Sequence, residues 1–169
     1  MKFKVINFNN YDIKIKKNNS TYHLGILLND ALIAYLSVII GSYNQIGRTL
    51  VDQNFRKQGW MRCLIDYFTK NIGPLICDNT QTPDAKDMWI ALIKMPGNLK
   101  ISTYNIKTKK KSKIKFNQSG EPSVWNNNPD IVLLAEERIM TEQEINHRLI
   151  SERNIEWYGV FGNEKYINP

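Results

Sequence analysis

The stretch from Val51 to Met61 constrains the fold more than any other part of the chain. It reads as the end of an apolar strand, a short turn that carries Arg56 and Gly59, and the start of an amphipathic helix. The first backbone N–H groups of a helix lack intrahelical partners, and the helix dipole favours negative charge there. The stretch therefore predicts a strand–turn–helix unit that is suited to a phosphate or a diphosphate.

The elements predicted after this turn follow a regular order. Apolar residues recur with helical spacing over 60–70, and Gly73 stands where helices commonly stop. A short apolar strand is expected at 75–77. Thr82 as a cap and a proline behind it then predict a second helix over 83–94. The expected order is strand, turn, helix, strand, helix.

The first fifty residues are predicted to form β structure. Residues 12–16 alternate between apolar and polar side chains, as a half-buried strand does. Strands over 22–28 and 31–40 are separated by Asn29-Asp30, which predicts a hairpin turn. A fourth strand is expected over 46–51. The N-terminal part is therefore predicted to be an antiparallel sheet.

Beyond the second helix, the pattern again favours strands. Strands are predicted over 100–106 and 112–116, on either side of a turn at 109–111, and a buried strand is predicted over 131–135. The remaining expectations are a loop over 117–129, a helix over 141–153 that opens with the capping box Thr141-x-x-Glu144, and an edge strand over 157–161.

Length and composition favour one soluble domain. A chain of 169 residues with 42% hydrophobic residues can bury a core, so we predict one domain over 1–169, with its core at about 11–116 and a C-terminal extension at about 117–169. The longest apolar run, 31–40, is too short for a membrane span. The start of the chain lacks the layout of a signal peptide, and Cys63 and Cys77 imply no disulfide framework. A cytoplasmic protein is the expectation.

The stretch 51–61 resembles the acetyl-CoA-binding motif of the GNAT superfamily of N-acetyltransferases. The residues that agree with the family's pattern are Val51, Phe55, Arg56 and Gly59. Gln53 stands where proline is usual, and Met61 stands where the last small residue is usual. The segment 77–85 also resembles a subgroup that is common in bacteriophage genomes. The similarity covers about 22–106.

The resemblance implies a mixed α/β (α+β) fold, in which a splayed, mostly antiparallel central sheet is flanked by helices and followed by a C-terminal strand and helix extension. Because the family often dimerises through its C-terminal strands, the resemblance also implies that the predicted strand over 157–161 would suit a homodimer contact. The cofactor that it implies is acetyl-CoA, or another acyl-CoA. Its arm would lie where the strand at Leu50 and Val51 splays away from the strand at Cys77. The cofactor-binding residues that the resemblance implies are Leu50, Val51, Arg56, Lys57, Gln58, Gly59, Trp60, Met61, Arg62 and Asn79.

The resemblance leaves the catalytic groups less defined than the cofactor site. An amine would attack the thioester directly, so neither cysteine is needed as a nucleophile. Asp78 is a candidate base, although a cap for the following loop is an equal interpretation. His23 is a second candidate base, but a single histidine in a strand more often has a structural role than a catalytic one. Trp89 stands where the family commonly has a tyrosine acid, and Tyr104 is the candidate replacement. Members of the family usually have a pair of helices between their first two strands. This chain has no room for them, so the resemblance does not define the acceptor site.

The net charge of +7 does not decide which kind of partner the protein binds. A run of lysines follows the predicted strand at 100–106 and reads either as a solvated hairpin or as a nucleic-acid contact: Lys107, Lys109, Lys110, Lys111, Lys113 and Lys115. No metal-ligand spacing is present. The leading hypothesis is an N-acetyltransferase that acts on an unidentified amine. In one version of this hypothesis, it is a phage protein that modifies a host protein or nucleic acid. The alternative is an inactive domain of the same fold that binds nucleic acid or an acidic partner.

Overall fold

The computed structural model describes residues 4–8, 11–78, 80–125 and 128–139. The chain divides into two units, Met1–Arg138 and Ile139–Pro169, and the fold below is that of the first. The predicted helix over 141–153, the predicted strand over 157–161 and the site residue Asn79 lie outside the described residues. The prediction of one domain over 1–169 therefore stays a prediction.

The described part of the chain forms one sheet and two α-helices. The strands are β1 Lys4–Phe8, β2 Tyr11–Lys17, β3 Thr21–Leu28, β4 Ala31–Ile40, β5 Asn44–Val51, β6 Leu75–Ile76, β7 Leu99–Asn105, β8 Lys110–Ser112 and β9 Ile131–Glu137, and the helices are α1 Trp60–Asn71 and α2 Pro83–Lys94. The strand order is β1-β2-β3-β4-β5-β6-β9-β7-β8. Among these strands, β5 and β6 form the one parallel pair. The predicted mixed α+β fold with a mostly antiparallel sheet is confirmed.

The hairpin between β3 and β4 forms where its sequence predicts. Asn29 and Asp30 have φ angles of 49° and 65°, in the left-handed region. Asn and Asp tolerate this conformation better than other residues with side chains, and a two-residue hairpin turn needs it at both central positions. The turn therefore fixes the register of β3 against β4.

Helix α1 packs on one face of the sheet. Leu64, Ile65 and Phe68 are fully buried, and the Tyr22 ring of β3 meets the Phe68 ring edge-on, with 5.5 Å between centroids. Burying each such side chain contributes about 1.5–3 kcal/mol. The position of α1, and with it the direction in which the start of α1 points, is therefore held by the core.

Helix α2 begins and packs as its sequence predicts. The Thr82 hydroxyl accepts a hydrogen bond from the Ala85 N–H at 3.3 Å, and Pro83 occupies the first turn. Trp89 and Leu92 are buried.

No helix in the described ranges is long and apolar enough to cross a membrane.

The hairpin between β7 and β8 differs from its prediction. The strand lies at Lys110–Ser112, so the predicted strand over 112–116 and the predicted turn over 109–111 are both wrong in register. The Asn105 side-chain oxygen accepts from the Lys107 and Thr108 N–H groups at 3.0 and 2.8 Å, which starts the turn at Asn105. Lys109 then takes a left-handed conformation, with φ of 59°.

The buried strand predicted over 131–135 is confirmed as part of β9. It lies between β6 and β7, and Leu133 and Ala135 are fully buried. The sequence after residue 117 therefore supplies a central strand of the sheet, next to the end of β6.

Candidate active site

Strands β5 and β6 separate soon after they meet. They pair only at Asn44 with Leu75 and at Gln45 with Ile76, whereas β5 remains paired with β4 as far as Val51. The gap is the space between residues 47–51 of β5 and residues 77–78, which follow β6. Because β5 and β6 are parallel, the gap opens at the end of β5 that leads into the turn.

A bulge in β5 accounts for the separation. Ser37 of β4 pairs with Arg48, but Val38 pairs with Ile46, so Gly47 is the extra residue. A bulge bends its strand and increases the local twist. A Cβ atom at Gly47 would lie 3.1 Å from the Ser37 hydroxyl oxygen, which leaves little room for any other residue. The same hydroxyl accepts from the Arg48 N–H at 2.8 Å and closes the bulge.

The gap leaves one edge of β5 without a neighbouring strand. Within the described residues, no strand pairs with β5 on this side beyond Gln45. An unpaired strand edge presents backbone N–H and C=O groups that favour a hydrogen-bonding partner. The edge of β5 is therefore suited to an extended ligand with amide groups.

A tight turn joins β5 to α1. The Asp52 carboxylate accepts from the Asn54 N–H at 2.9 Å, and the Asp52 N–H donates to the Ile33 carbonyl at 2.9 Å. A short 3-10 helix at Gln53–Phe55 follows. Lys57 and Gly59 have φ angles of 63° and 85°, so the chain turns twice through the left-handed region before α1 begins.

The start of α1 carries backbone donors that are not paired with any of the described residues. Gly59 is the N-cap and provides no side-chain cap, and the first helical bond runs from the Cys63 N–H to the Gly59 carbonyl at 3.1 Å. The N–H groups of Gly59, Met61 and Arg62 have no acceptor in the described part of the chain. A Cβ atom at Gly59 would meet nothing within 4 Å, so the space next to the Gly59 Cα atom is open. This arrangement favours an anion.

The side chains of the first turn of α1 leave this space clear. Trp60 and Met61 are each 7% exposed and belong to the core. The Trp60 indole N–H donates to the Gln58 side-chain oxygen at 3.2 Å. Met61, which stands where the resemblance expects a small residue, is therefore turned into the core.

Three cationic side chains, those of Arg56, Lys57 and Arg62, lie in the turn and at the start of α1. The Arg56 guanidinium lies 3.4 Å from the Asp84 carboxylate and donates to the Val51 carbonyl at 3.5 Å. Lys57 is exposed and Arg62 is half-buried. An exposed ion pair such as Arg56–Asp84 contributes about 0–1 kcal/mol, so a phosphate can compete for Arg56 at little cost.

Asp78 lies on the opposite side of the gap from β5. Its carboxylate accepts a hydrogen bond from the Gln45 side-chain N–H at 3.0 Å, and its carbonyl accepts from the Gln81 side chain. Asp78 is half-buried. The carboxylate is therefore held near the point where β5 and β6 separate.

The cysteines are thiols at neutral pH. Burial raises the pKa of Cys77 to about 12 and that of Cys63 to about 11, with the Asp66 charge as a second cause for Cys63. The Leu133 N–H donates to the Cys77 sulfur at 3.2 Å. Since the thiolate is the nucleophilic form, neither residue is activated for covalent chemistry.

Tyr104 lies on β7, directly opposite Val132 of β9. Its ring meets the Tyr43 ring edge-on at 5.4 Å, and the Tyr43 hydroxyl donates to the Ile106 carbonyl at 2.9 Å. The pKa of Tyr104 is raised, first by its hydrogen bond with Tyr43 and second by burial. Tyr104 therefore keeps its proton at neutral pH.

His23 and two of the six lysines already have partners within the fold. The His23 ring contacts the Tyr35 hydroxyl at 2.6 Å and the Asn18 side chain at 3.1 Å. Lys107 pairs with Asp130 at 2.8 Å and Lys111 pairs with Glu136 at 2.5 Å. These contacts favour a structural interpretation of His23 and of part of the lysine run.

A cavity of about 240 Å³ adjoins the gap. Its lining residues are Cys77, Asp78, Val124, Trp125, Asn128, Pro129, Ile131 and Val132. Asp78 lines the cavity, and its carboxylate accepts from Gln45 of β5, so the cavity and the gap share this residue. Sequence reasoning missed the cavity, although the apolar pair Val124-Trp125 within a polar loop was a signal for it.

The structure thus brings the predicted site residues together in two groups. The residues around the gap and turn are Leu50, Val51, Arg56, Lys57, Gln58, Gly59, Trp60, Met61 and Arg62, with Asp78 across the gap. Tyr104 does not belong to this group: it lies on β7 and is paired with Val132 of β9, which lines the cavity. No cluster of three metal-ligating side chains occurs in the ranges that the structure describes.

Comparisons with known proteins give distant structural neighbours only. No family model matches the sequence, and no curated protein matches it. The ribosomal-protein-S18-alanine N-acetyltransferase from Escherichia coli is 15% identical, with 75% of each chain covered and a TM-score of 0.41. A GNAT-family protein from Bacteroides thetaiotaomicron is 10% identical, with 82% of this chain and 74% of that chain covered and a TM-score of 0.40. ElaA from Escherichia coli is 13% identical, with 69% and 68% covered and a TM-score of 0.37. These values assign no residue and no activity to this chain.

Proposed function

We propose that the protein is an acyltransferase that uses acetyl-CoA, or another acyl-CoA, to acylate an amine. One observation carries this proposal. The gap along β5 leads directly into the turn, and the turn ends at the start of α1, which has no side-chain cap. One extended ligand with a diphosphate at one end and amides along its arm matches both features.

The residues of the turn fit the nucleotide end of such a ligand. The N–H groups of Gly59, Met61 and Arg62 would bind the diphosphate, with the charges of Arg56 and Lys57 beside them. The fit rests on the open space at Gly59 and on donors that have no acceptor in the described part of the chain.

The edge of β5 fits the arm. The backbone of residues 47–51 lacks a strand partner on the side of the gap, and the Leu50 side chain is 47% exposed beside it. Bound acetyl-CoA supplies a thioester, so that an amine forms a C–N bond as the C–S bond breaks. A backbone N–H of this edge would stabilise the negative charge that develops on the thioester oxygen.

Asp78 is the residue we assign as the base. It would take the proton from the attacking amine, directly or through a water molecule, and a positioned base of this kind contributes about 10²–10⁴-fold in rate. Gln45 holds the carboxylate in place from β5. Gln45 is therefore a positioning residue for the reaction.

Tyr104 is the residue we assign as the acid for the departing thiolate. Trp89, at the position where the resemblance expects a tyrosine, is 1% exposed and carries no hydroxyl. Tyr104 is protonated at neutral pH, as a tyrosine with the ordinary pKa of about 10 also is, and its pKa is raised further. Its partner in the β7–β9 register is Val132, which lines the cavity.

A second candidate function is a binding domain that has lost transfer chemistry. The buried Trp89 favours it, since no hydroxyl is present at that position of α2. Nucleic acid as its ligand would use the lysine run, but Lys107 and Lys111 are paired with Asp130 and Glu136. A phage origin and a host target rest on the segment 77–85 alone and stay a prediction.

Thermal unfolding with acetyl-CoA, with CoA and with a short DNA duplex separates these candidates, because a ligand that binds the folded state raises its stability. The acyltransferase predicts stabilisation by acetyl-CoA and CoA, followed by release of free thiol when amines are added. Stabilisation by DNA alone would support the binding domain and contradict acyl transfer.

A further inference from the structure

The run of lysines that follows β7 divides into paired and unpaired side chains. Lys107 is held by Asp130, and Lys111 is held by Glu136. The other lysines of the run are exposed and form no ion pair in the part of the chain that the structure describes: Lys109, Lys110, Lys113 and Lys115. Several unpaired cations so close together favour a ligand that carries more than one negative charge.

The fold spreads these unpaired lysines along one side of the sheet. Strand β8 is last in the strand order and pairs, among the described strands, with β7 only. Ile114 packs against the core, which leaves its neighbours Lys113 and Lys115 in solvent. From Lys109 to Lys115 an extended chain spans about 20 Å. A row of charges of this length matches the repeated phosphates of a polynucleotide better than it matches one small anion.

An exposed aromatic ring lies at the end of this row. Phe116 follows Lys115 directly and is 54% exposed. Its backbone is held in place, because Phe116 forms a β-bridge with Pro122 and the Ser123 N–H donates to the Lys115 carbonyl at 2.8 Å. An exposed ring next to cations is the kind of surface on which the bases of a single strand stack.

We propose that the lysine surface, which consists of Lys109, Lys110, Lys113, Lys115 and Phe116, binds single-stranded nucleic acid. The lysines contact successive phosphates, and the Phe116 ring stacks on a base. A base offers its face to a side chain only when it is not stacked within a duplex, so the ring favours a single strand. The ring also favours a polynucleotide over an acidic peptide, because a carboxylate has no face to stack on it.

The lysine surface is separate from the residues that we assign to acyl transfer. The turn and the start of α1 follow β5, and three strands, β6, β9 and β7, lie between β5 and β8 in the sheet. The proposed reaction uses none of the side chains of the lysine surface. Binding of the strand and binding of acetyl-CoA can therefore be tested one without the other.

Fluorescence anisotropy with labelled oligo(dT) and oligo(U) of about twelve nucleotides tests the proposal. A duplex of the same length and poly-glutamate are the alternative ligands. We expect both single strands to bind more tightly than the duplex and poly-glutamate, and the better one identifies DNA or RNA as the source. Each phosphate contact of a single strand contributes about 0.7 to the salt dependence, so four lysines predict a slope of about −3 for log K against log salt concentration.

Two variants and a matched control locate the site. Lys113→Ala together with Lys115→Ala should weaken binding at least about tenfold and reduce the size of the slope by about 1.4. Phe116→Leu should weaken binding at least about fivefold with an unchanged slope, because stacking is lost and no charge is lost. The control, Lys14→Ala together with Lys16→Ala, removes the same charge from β2, far from β8 in the strand order, and should change neither value.

Three results would overturn the proposal. The first is the absence of binding of either single strand at low salt. The second is an equal loss of affinity in the β2 control, which would show that net charge alone attracts the strand. The third is binding of poly-glutamate as tight as that of the single strands with Phe116→Leu unchanged, which would assign the surface to an acidic partner.

The Kd for acetyl-CoA, measured in the same variants, keeps this proposal apart from acyl transfer. We expect it to be unchanged in all of them. Binding of the single strand through the lysine surface by a protein that fails to bind acetyl-CoA would support the surface and refute acyl transfer. Binding of acetyl-CoA without binding of either single strand would refute the surface while the acyltransferase stands.

Discussion

Gln45 and Asp78 are joined across the gap: the Gln45 side-chain N–H donates to the Asp78 carboxylate at 3.0 Å, between residues 33 positions apart in the sequence. Gln45 belongs to the last residue pair between β5 and β6, and Asp78 lies two residues after its partner in that pair, Ile76. It therefore connects the strand that borders the cofactor site with the carboxylate that we assign as the base.

Substitution of either residue should affect turnover more than cofactor binding. Asp78→Asn should lower kcat by about 10²–10⁴-fold, because a base is lost, with an unchanged Kd for acetyl-CoA. Gln45→Leu should lower kcat by about tenfold, because the carboxylate is no longer held in place. Steady-state kinetics and calorimetry measure the two effects.

Asn44→Leu is the matched control for Gln45→Leu. The Asn44 side chain also bonds across β5 and β6, to the Pro74 carbonyl at 3.2 Å, but does not touch Asp78. Asn44→Leu should change the stability of the protein but not kcat. An equal loss of kcat in both variants would show that Gln45 acts through the sheet and not through Asp78.

Gly59→Ala should weaken acetyl-CoA binding because the start of α1 loses its left-handed cap. The substitution strains the backbone at φ of 85° by about 1–2 kcal/mol, although a Cβ atom there meets nothing within 4 Å. Gly97→Ala is the matched control, since Gly97 has φ of 59° and equally open surroundings but lies after α2. Both should lose similar stability in urea unfolding, and Gly59→Ala alone should lose affinity.

Local features of the fold could be predicted because neighbouring residues signal them. Asn29 and Asp30 predict the β3–β4 turn, and Thr82 caps α2 as expected. The turn between β7 and β8 was predicted at residues 109–111, whereas it starts at Asn105, whose side chain bonds two backbone N–H groups. Strand β1 was not predicted as a separate element, because it is short.

Long-range features could not be predicted in the same way. Nothing near Leu133 in the sequence states that β9 inserts between β6 and β7. The turn at Gly59 was predicted as part of the site from its local pattern. The contact of Gln45 with Asp78 and the cavity wall at Trp125 depend on segments far apart in the chain, so one sequence did not reveal them.

The stability of the protein should depend on pH through Asp66. Burial raises the pKa of Asp66 from 3.8 to about 6, while the Arg62 charge opposes the shift, and one carboxylate oxygen is buried without a partner in the described residues. A raised pKa in the folded state stabilises the protein below pH 3.8, and this contribution is lost as pH rises through about 6.

Asp66→Asn should therefore stabilise the protein at pH 7.5 by about 1 kcal/mol, after allowance for partial solvent exposure, and should have little effect near pH 3.5. Urea unfolding at the two pH values measures this. Asp87→Asn, at an exposed position of α2, is the control. An equal gain at both pH values would exclude burial of the charge as the cause.

Tyr43→Phe should lower the pKa of Tyr104 toward the ordinary tyrosine value of about 10, because the hydrogen bond with the Tyr43 hydroxyl is the first cause of its raised pKa. The ¹³C shift of the Tyr104 Cζ atom through an alkaline titration measures the change. A pKa that stays at its wild-type value would show that burial alone accounts for the shift.

The most direct test of the account is an NMR comparison of acetyl-CoA with acetyl-pantetheine, which lacks the nucleotide and its diphosphate. We predict that acetyl-CoA shifts the amide signals of Gly59, Met61 and Arg62 and that acetyl-pantetheine leaves these three signals in place. Unchanged signals for these amides at saturating acetyl-CoA, or no binding at millimolar concentration, would contradict the account.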